Sequence, residues 1–137
     1  MNGESTPIRA KRPSLEDLKT FVRNHFEQFV NQKNLAIADL NFASDFVDHG
    51  ADVPPGMPPG PAGAKEYVGI ALKKFPDMKV SIEDIIAEGD KVVVRNVWRA
   101  TEPESGRKLQ FGGIVIWRIE GGRLAERWAY LETPKVA

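Results

Sequence analysis

The sequence predicts an α+β domain in which N-terminal helices pack on one face of a curved antiparallel sheet. Apolar residues recur at helical spacing in the first part of the chain, and four β-rich runs occupy the second part. Gly121-Gly122 joins the last two runs. A Gly-Gly connection favours a hairpin, because a type I′ turn needs positive φ at both central residues. A chain of 137 residues is the size of one domain with a real core.

The N-terminal part is predicted to begin with an unstructured lead-in followed by a long helix. Residues 1–13 are polar and contain two prolines, so we expect them to be disordered and to precede a single domain at 14–137. Ser14, with Asp17 three residues later, is typical of a helix N-terminus. Apolar residues then continue at helical spacing to about Gln32.

The boundaries of the remaining elements are predicted from the positions of Asn, Pro and Gly. Asn34 is predicted to cap a shorter second helix, from Leu35 to about Ala43. The segment 44–63 is dense in Pro and Gly and therefore irregular, and loops of this length often cover functional sites. A third helix is predicted over Gly63–Lys74, before Pro76. The predicted strands, connected as a meander, are Met78–Ala87, Lys91–Ala100, Leu109–Ile119 and Arg123–Leu131.

The composition is that of an ordinary globular protein, with 42% hydrophobic and 28% charged residues. Lys plus Arg equals Asp plus Glu at 19 each, so no basic excess points to nucleic acid or to acidic membranes. The absence of cysteine excludes disulfides, thiolate catalysis and cysteine-based zinc sites. No apolar leader and no run of transmembrane length is found, so we expect a cytoplasmic protein.

Pairing the strands through their turns assigns the side chains to two faces. One face is aromatic with some acids, and we expect it to meet the helices and enclose a ligand cavity. The other is β-branched with several arginines, and we expect it to form a homodimer interface. A β-bulge would exchange the faces locally. The first face is predicted to carry Ser81, Glu83, Ile85, Val92, Val94, Asn96, Trp98, Phe111, Gly113, Val115, Trp117, Glu126, Trp128, Tyr130 and Glu132. The second is predicted to carry Val80, Ile82, Asp84, Ile86, Val93, Arg95, Val97, Arg99, Ile114, Ile116, Arg118, Arg127 and Leu131.

Two residues are candidates for proton transfer. Glu132 lies at a strand end on the predicted inner face, where an apolar pocket would suit a general base. The alternative is an exposed glutamate at the start of the C-terminal tail. His49 can move a proton near neutral pH, and Asp45 or Asp48 could orient it. The alternative for His49 is a loop histidine bonded to backbone.

A set of aromatic and polar residues is expected to contact a small hydrophobic ligand. Together the aromatic members fit a flat or ring-containing molecule, although core packing explains each one equally well. Asn96 or Tyr130 could donate a hydrogen bond to an enolate oxygen. Met57 and Tyr67 are expected near the entrance. The expected ligand contacts are Asp45, Met57, Tyr67, Asn96, Trp98, Phe111, Trp128 and Tyr130.

Other polar residues are interpreted as structural. The acidic residues and histidine between 45 and 52 match no metal-binding spacing, so we expect no metal there and a solvated transition from helix to loop. Asp84 and Arg95 are expected to form a cross-strand ion pair. Glu126 is expected to anchor an arginine or a helix N-terminus at the closed end of the core, and His25 to be structural or solvent-facing.

The chain from Asp45 onward resembles the SnoaL-like polyketide cyclase family, within the nuclear transport factor 2-like superfamily. The blocks that carry the resemblance are DFVDHG, PGPAGAKEYV, FPDMKVSIEDIIAEGDKVVVR and FGGIVIWRIEGGRLAERWAYLE. The resemblance implies a cone-shaped α+β barrel, in which a strongly bent sheet wraps around about three helices and leaves a deep apolar pocket. It also implies dimerisation through the sheet.

The same resemblance implies an activity. The family's cyclases perform an intramolecular aldol condensation with no metal or organic cofactor, using an acidic residue four positions after a tryptophan. Counted from Trp128, that position is Glu132, where the family carries aspartate. We therefore expect a cofactor-independent cyclase or isomerase that acts on a small hydrophobic carbonyl compound. A non-catalytic binding protein that uses the same pocket, or an interaction module with a residual pocket, are the alternatives.

Overall fold

The computed structural model describes residues 12–137, so the predicted disorder of residues 1–13 falls almost entirely outside the described residues. The first helix, α1 (Leu15–His25), begins as predicted. The Ser14 hydroxyl accepts a hydrogen bond from the Asp17 N–H, and the Asp17 carboxylate accepts one from the Ser14 N–H, each at 3.0 Å. The helix then widens into a π-helical turn, Phe26–Asn31, so the predicted single helix has two parts.

The predicted second helix, Leu35 to about Ala43, is helical only as far as Asn41 and begins as a 3₁₀ turn. A 3₁₀ turn at Leu35–Ile37 leads into a short helix α2 (Ala38–Asn41), and the chain then becomes strand β1 (Phe42–Asp48). This strand pairs in parallel with a strand near the C-terminus. A parallel partner distant in sequence leaves no local signal, and this explains why the strand was not predicted.

A loop over residues 49–59 connects β1 to α3 (Gly60–Lys74), which begins three residues earlier than predicted. The four predicted strands are all present with small shifts at their ends. They are β2 (Lys79–Glu88), β3 (Lys91–Thr101), β4 (Lys108–Glu120) and β5 (Arg123–Leu131), followed by a short unpredicted β6 (Lys135–Val136).

The strands form one six-stranded mixed sheet in the order β1-β5-β4-β3-β2, and β6 pairs with β4. All pairings except β1 with β5 are antiparallel, and the sheet is not closed into a barrel. The β4–β5 turn has φ of 59° at Gly121 and 75° at Gly122, as the predicted type I′ turn requires. The predicted α+β fold, with helices against the inner side of the sheet, is confirmed.

Two β-bulges place several side chains on the face opposite to the predicted one. The extra residues are Glu83 in β2 and Ala125 in β5, since neither has a partner in the neighbouring strand. An extra residue inverts the alternation of all side chains beyond it. The residues that turn inward, contrary to prediction, are Val80, Ile82, Arg127 and Leu131. Those that turn outward, contrary to prediction, are Ser81, Glu126, Trp128, Tyr130 and Glu132.

The core lies between the inner face of the sheet and the first helical segment, which consists of α1 and the π-helical turn (residues 15–31). Trp98 and Phe111 stack across β3 and β4, with ring centroids 6.0 Å apart, in the predicted pairing. At the sheet edge, the Asn31 amide bonds the N–H and C=O of Val80 and so covers edge strand β2. No helix among residues 12–137 is long and apolar enough to cross a membrane. The most deeply buried core residues are Val22, Phe29, Val30, Ala38, Phe42, Val92, Val94, Val115, Trp117 and Leu124.

Candidate functional site

A cavity of about 190 Å³ lies between the inner sheet face, the first helical segment and α3. Most of its wall is aromatic or aliphatic. Five polar side chains interrupt this wall: His25, Asp48, Asp52, Tyr67 and Arg127. The apolar residues around them include Phe26, Phe29, Phe42, Phe46, Val68, Phe75, Trp98, Phe111, Val115, Trp117 and Leu131.

Arg127 is the centre of a polar cluster on this wall. It is a direct neighbour of Asp48 across parallel strands β1 and β5, and only 9% of it is exposed. Its Nη1 lies 2.9 Å from Oδ1 and 3.1 Å from Oδ2 of Asp48. Its Nη2 lies 3.0 Å from Oδ2 of Asp52, which belongs to the loop after β1. One buried cation therefore joins two carboxylates from different parts of the chain.

Two further residues hold this cluster together. The Tyr67 hydroxyl on α3 donates a hydrogen bond to Oδ2 of Asp52. The Gly50 N–H donates one to Oδ1 of Asp48 at 2.9 Å. A Cβ at residue 50 would lie 2.4 Å from Oδ1 of Asp52 and 2.6 Å from Nη1 of Arg127. The loop can pass so close to the ion pairs only because this residue has no side chain.

The charges in the cluster stabilise one another. Burial alone would raise the pKa of Asp52, but the Arg127 charge and the hydrogen bonds from Arg127 and Tyr67 outweigh it and hold the pKa below its usual value. Burial and the bond to Asp52 raise the pKa of Tyr67. Burial alone would lower the pKa of Arg127, but Asp48 and Asp52 outweigh it, so that pKa is raised. At neutral pH Asp52 is thus ionised and Tyr67 is protonated.

His25 lies on the helical side of the cavity, at the end of α1. Its Nδ1 is 2.9 Å from Nδ2 of Asn41, and its ring stacks on Phe29 at a centroid distance of 5.0 Å. Phe42 and Trp117 approach the ring edge-on. Burial among these groups lowers the pKa of His25 to about 3, so its ring is neutral at physiological pH.

His49 lies outside the cavity, on the outer face of the sheet. Its Nε2 is 2.7 Å from Oε2 of Glu126, and its ring stacks on Trp128 at a centroid distance of 5.1 Å. Glu126 also pairs with Nε of Arg118 at 2.6 Å. The predicted role of Glu126 as an anchor for an arginine is confirmed, but its predicted position at the closed end of the core is wrong. The hydrogen bonds from His49 and Arg118 lower the pKa of Glu126.

Glu132 is exposed, and its carboxylate accepts a hydrogen bond from the Gly112 N–H at 2.8 Å. Tyr130 is 69% exposed and Asp45 is exposed on β1. The predicted placement of Glu132, Trp128 and Tyr130 beside the ligand is therefore wrong, because the bulge at Ala125 turns them outward. Neither Glu132 nor His49 lines the cavity, and the catalytic roles predicted for them depended on that contact.

The other predicted ligand contacts lie on or near the cavity. Tyr67, Trp98 and Phe111 line it directly. Asn96 is fully buried, and its Oδ1 accepts a hydrogen bond from Nε1 of Trp98 at 3.1 Å. Met57 lines a second hollow, of about 370 Å³, beneath the proline-rich loop. The predicted ion pair of Asp84 with Arg95 is confirmed at 2.6 Å, on the outer face.

Sequence reasoning missed the polar cluster itself. Asp48 and Asp52 were interpreted as solvated, and Arg127 was assigned to the outer face. The signal available in the sequence is that Asp48 and Asp52 flank Gly50 in DHGAD, directly after Phe46 and Val47. Within residues 12–137, no group of three or more His, Asp or Glu side chains is arranged to hold a metal ion.

The comparisons with known proteins agree with this architecture. The family model of SnoaL-like polyketide cyclases matches residues 20–135. IdmH from Streptomyces antibioticus, provisionally assigned as a polyketide cyclase, is 26% identical with a TM-score of 0.74, over 84% of this chain and 91% of that one. A provisionally assigned polyketide cyclase from Bacillus cereus ATCC 10987 is 25% identical with a TM-score of 0.74, over 87% and 78% of the two chains. A SnoaL-like protein from Jannaschia sp. CCS1, at 16% identity and a TM-score of 0.76, covers 90% of this chain and 91% of its own and shares the fold. The comparison with curated proteins gave no match.

Proposed function

The chain belongs to the SnoaL-like polyketide cyclase family, and from this premise we propose that it is a cofactor-independent enzyme of the cyclase or isomerase type. Its substrate would be a small hydrophobic carbonyl compound held in the cavity. The observation that carries the proposal is the cluster of Asp48, Asp52, Tyr67 and Arg127 on the wall of an otherwise aromatic and aliphatic cavity. Apolar pockets with a few convergent polar groups are the usual form of small-molecule sites.

The cavity lining favours a flat, ring-containing ligand. The stacked rings of Trp98 and Phe111 lie on one side and those of Phe26, Phe42 and Trp117 lie deeper in the fold. Aromatic walls bury large apolar area and accept another ring by stacking or edge contact. A volume of about 190 Å³ limits the enclosed part of the ligand to a small ring system.

Asp52 is the best-placed proton acceptor in the cluster. Its Oδ2 is engaged by Arg127 and Tyr67, but within the described part of the chain Oδ1 has only a 3.4 Å contact to Nη1 of Arg127. An ionised, oriented carboxylate with one weakly engaged oxygen can take a proton from the carbon next to a carbonyl and leave an enolate. Cyclisation, isomerisation and dehydration all begin with this step.

A non-catalytic binding protein is the second candidate. It is favoured by the same ion pairs, because Arg127 lowers the pKa of Asp52 and so makes the carboxylate a weaker base. In that case the cluster would serve only to hold a polar group of the ligand at the cavity wall.

Proton exchange into a simple ketone distinguishes these two candidates. We expect the wild-type protein to accelerate deuterium incorporation at the α-carbon of 1-tetralone in D₂O, followed by mass spectrometry. Asp52→Asn should reduce the acceleration by about 10²-fold or more. Asp90→Asn, in the turn between β2 and β3, is the matched control and should retain it. Binding of 1-tetralone without exchange would support the binding protein. If the protein neither binds 1-tetralone nor exchanges its proton, both candidates are contradicted.

We also propose a homodimer formed through the outer sheet face. This face combines the arginine side chains of β3 with exposed apolar groups, since Ile86, Ile114 and Tyr130 are 62%, 36% and 69% exposed. Such a mixture is typical of interfaces. Analytical ultracentrifugation should show a dimer at micromolar concentration that Ile114→Lys dissociates. A monomeric wild-type protein would contradict the proposal.

A further inference from the structure

We propose that His25 forms an oxygen-binding subsite on the helical side of the cavity, where its Nε2–H donates a hydrogen bond to a carbonyl or enolate oxygen of the ligand. The inference rests on the function proposed above, because it orients the same ligand in the same cavity. It narrows the ligand class to compounds that place a hydrogen-bond acceptor deep among aromatic rings.

The position of the ring proton follows from the partner of the other ring nitrogen. Nδ2 of Asn41 lies 2.9 Å from Nδ1 of His25, and an amide nitrogen can only donate. Nδ1 must therefore accept this hydrogen bond, and the proton of the neutral ring is on Nε2. Asn41 is itself buried, with 8% exposure, so the tautomer is held away from solvent.

The ring nitrogen Nε2 of His25 has no hydrogen-bond partner among residues 12–137, and the His25 side chain lines the cavity. Among those residues, the wholly enclosed side-chain atoms without a partner are Nδ2 of Asn96 and Nε1 of Trp117, and Nε2 of His25 is not one of them. Since His25 lines the cavity, its free donor is available to a ligand there. A donor at the wall of an apolar cavity gains a hydrogen bond when a ligand brings an acceptor to it.

The surroundings keep this donor neutral. Phe26, Phe29, Phe42 and Trp117 contact the ring, and burial lowers the pKa of His25 to about 3. Within residues 12–137, the only side chain that hydrogen-bonds the ring is the uncharged Asn41. A neutral imidazole can donate a hydrogen bond to a carbonyl oxygen and stabilise the negative charge of an enolate while it keeps its own proton.

The location within the fold also favours a binding role. His25 ends α1 where the helix widens into the π-helical turn Phe26–Asn31, and such turns are frequent at functional sites. Trp117 contacts both polar regions of the cavity, with its ring 5.5 Å from the His25 ring and 6.0 Å from Cζ of Arg127. A ligand that packs against Trp117 therefore lies beside both polar regions of the cavity wall.

A pair of ligands that differ only in the oxygen tests the subsite. We expect the wild-type protein to bind 1-tetralone about tenfold more tightly than tetralin, which lacks the oxygen, as measured by calorimetry. His25→Phe should abolish this preference and still bind tetralin. In ¹⁵N-edited NMR of the wild-type protein, the Nε2–H resonance should appear in the free protein and move downfield with 1-tetralone but not with tetralin.

The outcomes separate this inference from the proposed function. Equal affinity of the wild-type protein for the two compounds, or an Nε2–H resonance that 1-tetralone does not move, overturns the subsite and leaves the cavity as a binding site. A folded protein that binds neither compound overturns the proposed function and the subsite together. If His25→Phe does not fold, the NMR measurement on the wild-type protein decides alone.

Discussion

Arg127 lies directly opposite Trp117 across strands β4 and β5, and its guanidinium carbon is 6.0 Å from the centre of the indole ring. The charge therefore has an aromatic ring on one side and two carboxylates, Asp48 and Asp52, on the other. A cation over the face of a tryptophan is attracted by the ring as well as by the anions. This arrangement explains how a charged side chain can be buried beside an apolar cavity.

Replacement of Arg127 by methionine should destabilise the protein, because it leaves two largely buried carboxylates without their cation. We expect a loss of about 3 kcal/mol in the free energy of unfolding at pH 7. This estimate is at the low end for buried pairs, because the side chains of Asp48 and Asp52 keep 19% and 16% exposure. Urea denaturation followed by circular dichroism measures the change.

The matched control is Arg23→Met, in the last turn of α1, where the side chain is exposed. It should change stability by less than about 0.5 kcal/mol. The deficit of Arg127→Met should also shrink toward pH 4, since burial without a cation favours the protonated form of Asp52. A deficit independent of pH would contradict the electrostatic explanation.

Two glycines should respond in opposite directions to alanine. Gly50→Ala places a methyl group 2.4 Å from Asp52 and 2.6 Å from Arg127, so it should cost about 1–3 kcal/mol. Gly69→Ala, inside α3, places a methyl group in ordinary contact with Leu35 at 3.5 Å and should add about 0.5–1 kcal/mol. Thermal and urea unfolding of the two variants test both signs. Equal effects would show that the loop is not constrained by the cluster.

The free energy of unfolding should depend on pH through the ionisation of Asp52. Because its pKa in the folded protein lies below the ordinary value, the carboxylate contributes stability above the pKa of the unfolded chain, about 3.9. That contribution is lost as the pH falls from this value through the folded pKa. The difference between the wild-type protein and Asp52→Asn should therefore be largest near pH 7 and decrease below about pH 4. A series of urea unfolding curves over this range provides the measurement.

Two tryptophans should differ strongly in their contribution to stability. Trp117 is 3% exposed and contacts the rings of His25, Phe26 and Phe42, so Trp117→Ala should cost about 3–5 kcal/mol. Trp128 lies on the outer face, half-buried against His49, and Trp128→Ala should cost about 1 kcal/mol. Urea unfolding of the two variants gives the ranking, and the reverse order would contradict the observed faces of β5.

Local patterns predicted most of the fold. The capping box at Ser14, the turn at Gly121-Gly122 and the pairing of Trp98 with Phe111 each depend on residues that are close in sequence or joined by a short turn. The order of helices and the antiparallel meander followed from these signals. They carry no information on β1, because its partner β5 lies far along the chain.

The candidate site was harder to predict, because it depends on two irregularities. The bulge at Ala125 turns Arg127 inward and Trp128 outward, and one unpaired residue has no reliable signature in a single sequence. The strand β1 then brings Asp48 beside Arg127. Without both facts, the acids near residue 50 are interpreted as solvent-exposed and the outer-face glutamate as a catalytic base.

The parallel contact between β1 and β5 has a consequence for the order in which the sheet and the polar cluster form. Asp48 and Arg127 are 79 residues apart, whereas each hairpin of the meander closes over a short turn. Closing a long segment costs more chain entropy, so we expect the hairpins to fold early and β1 to dock late. A nascent or refolding chain would then hold a nearly complete sheet before it holds a competent cluster. In refolding experiments, recovery of the proposed activity should lag behind recovery of β-structure.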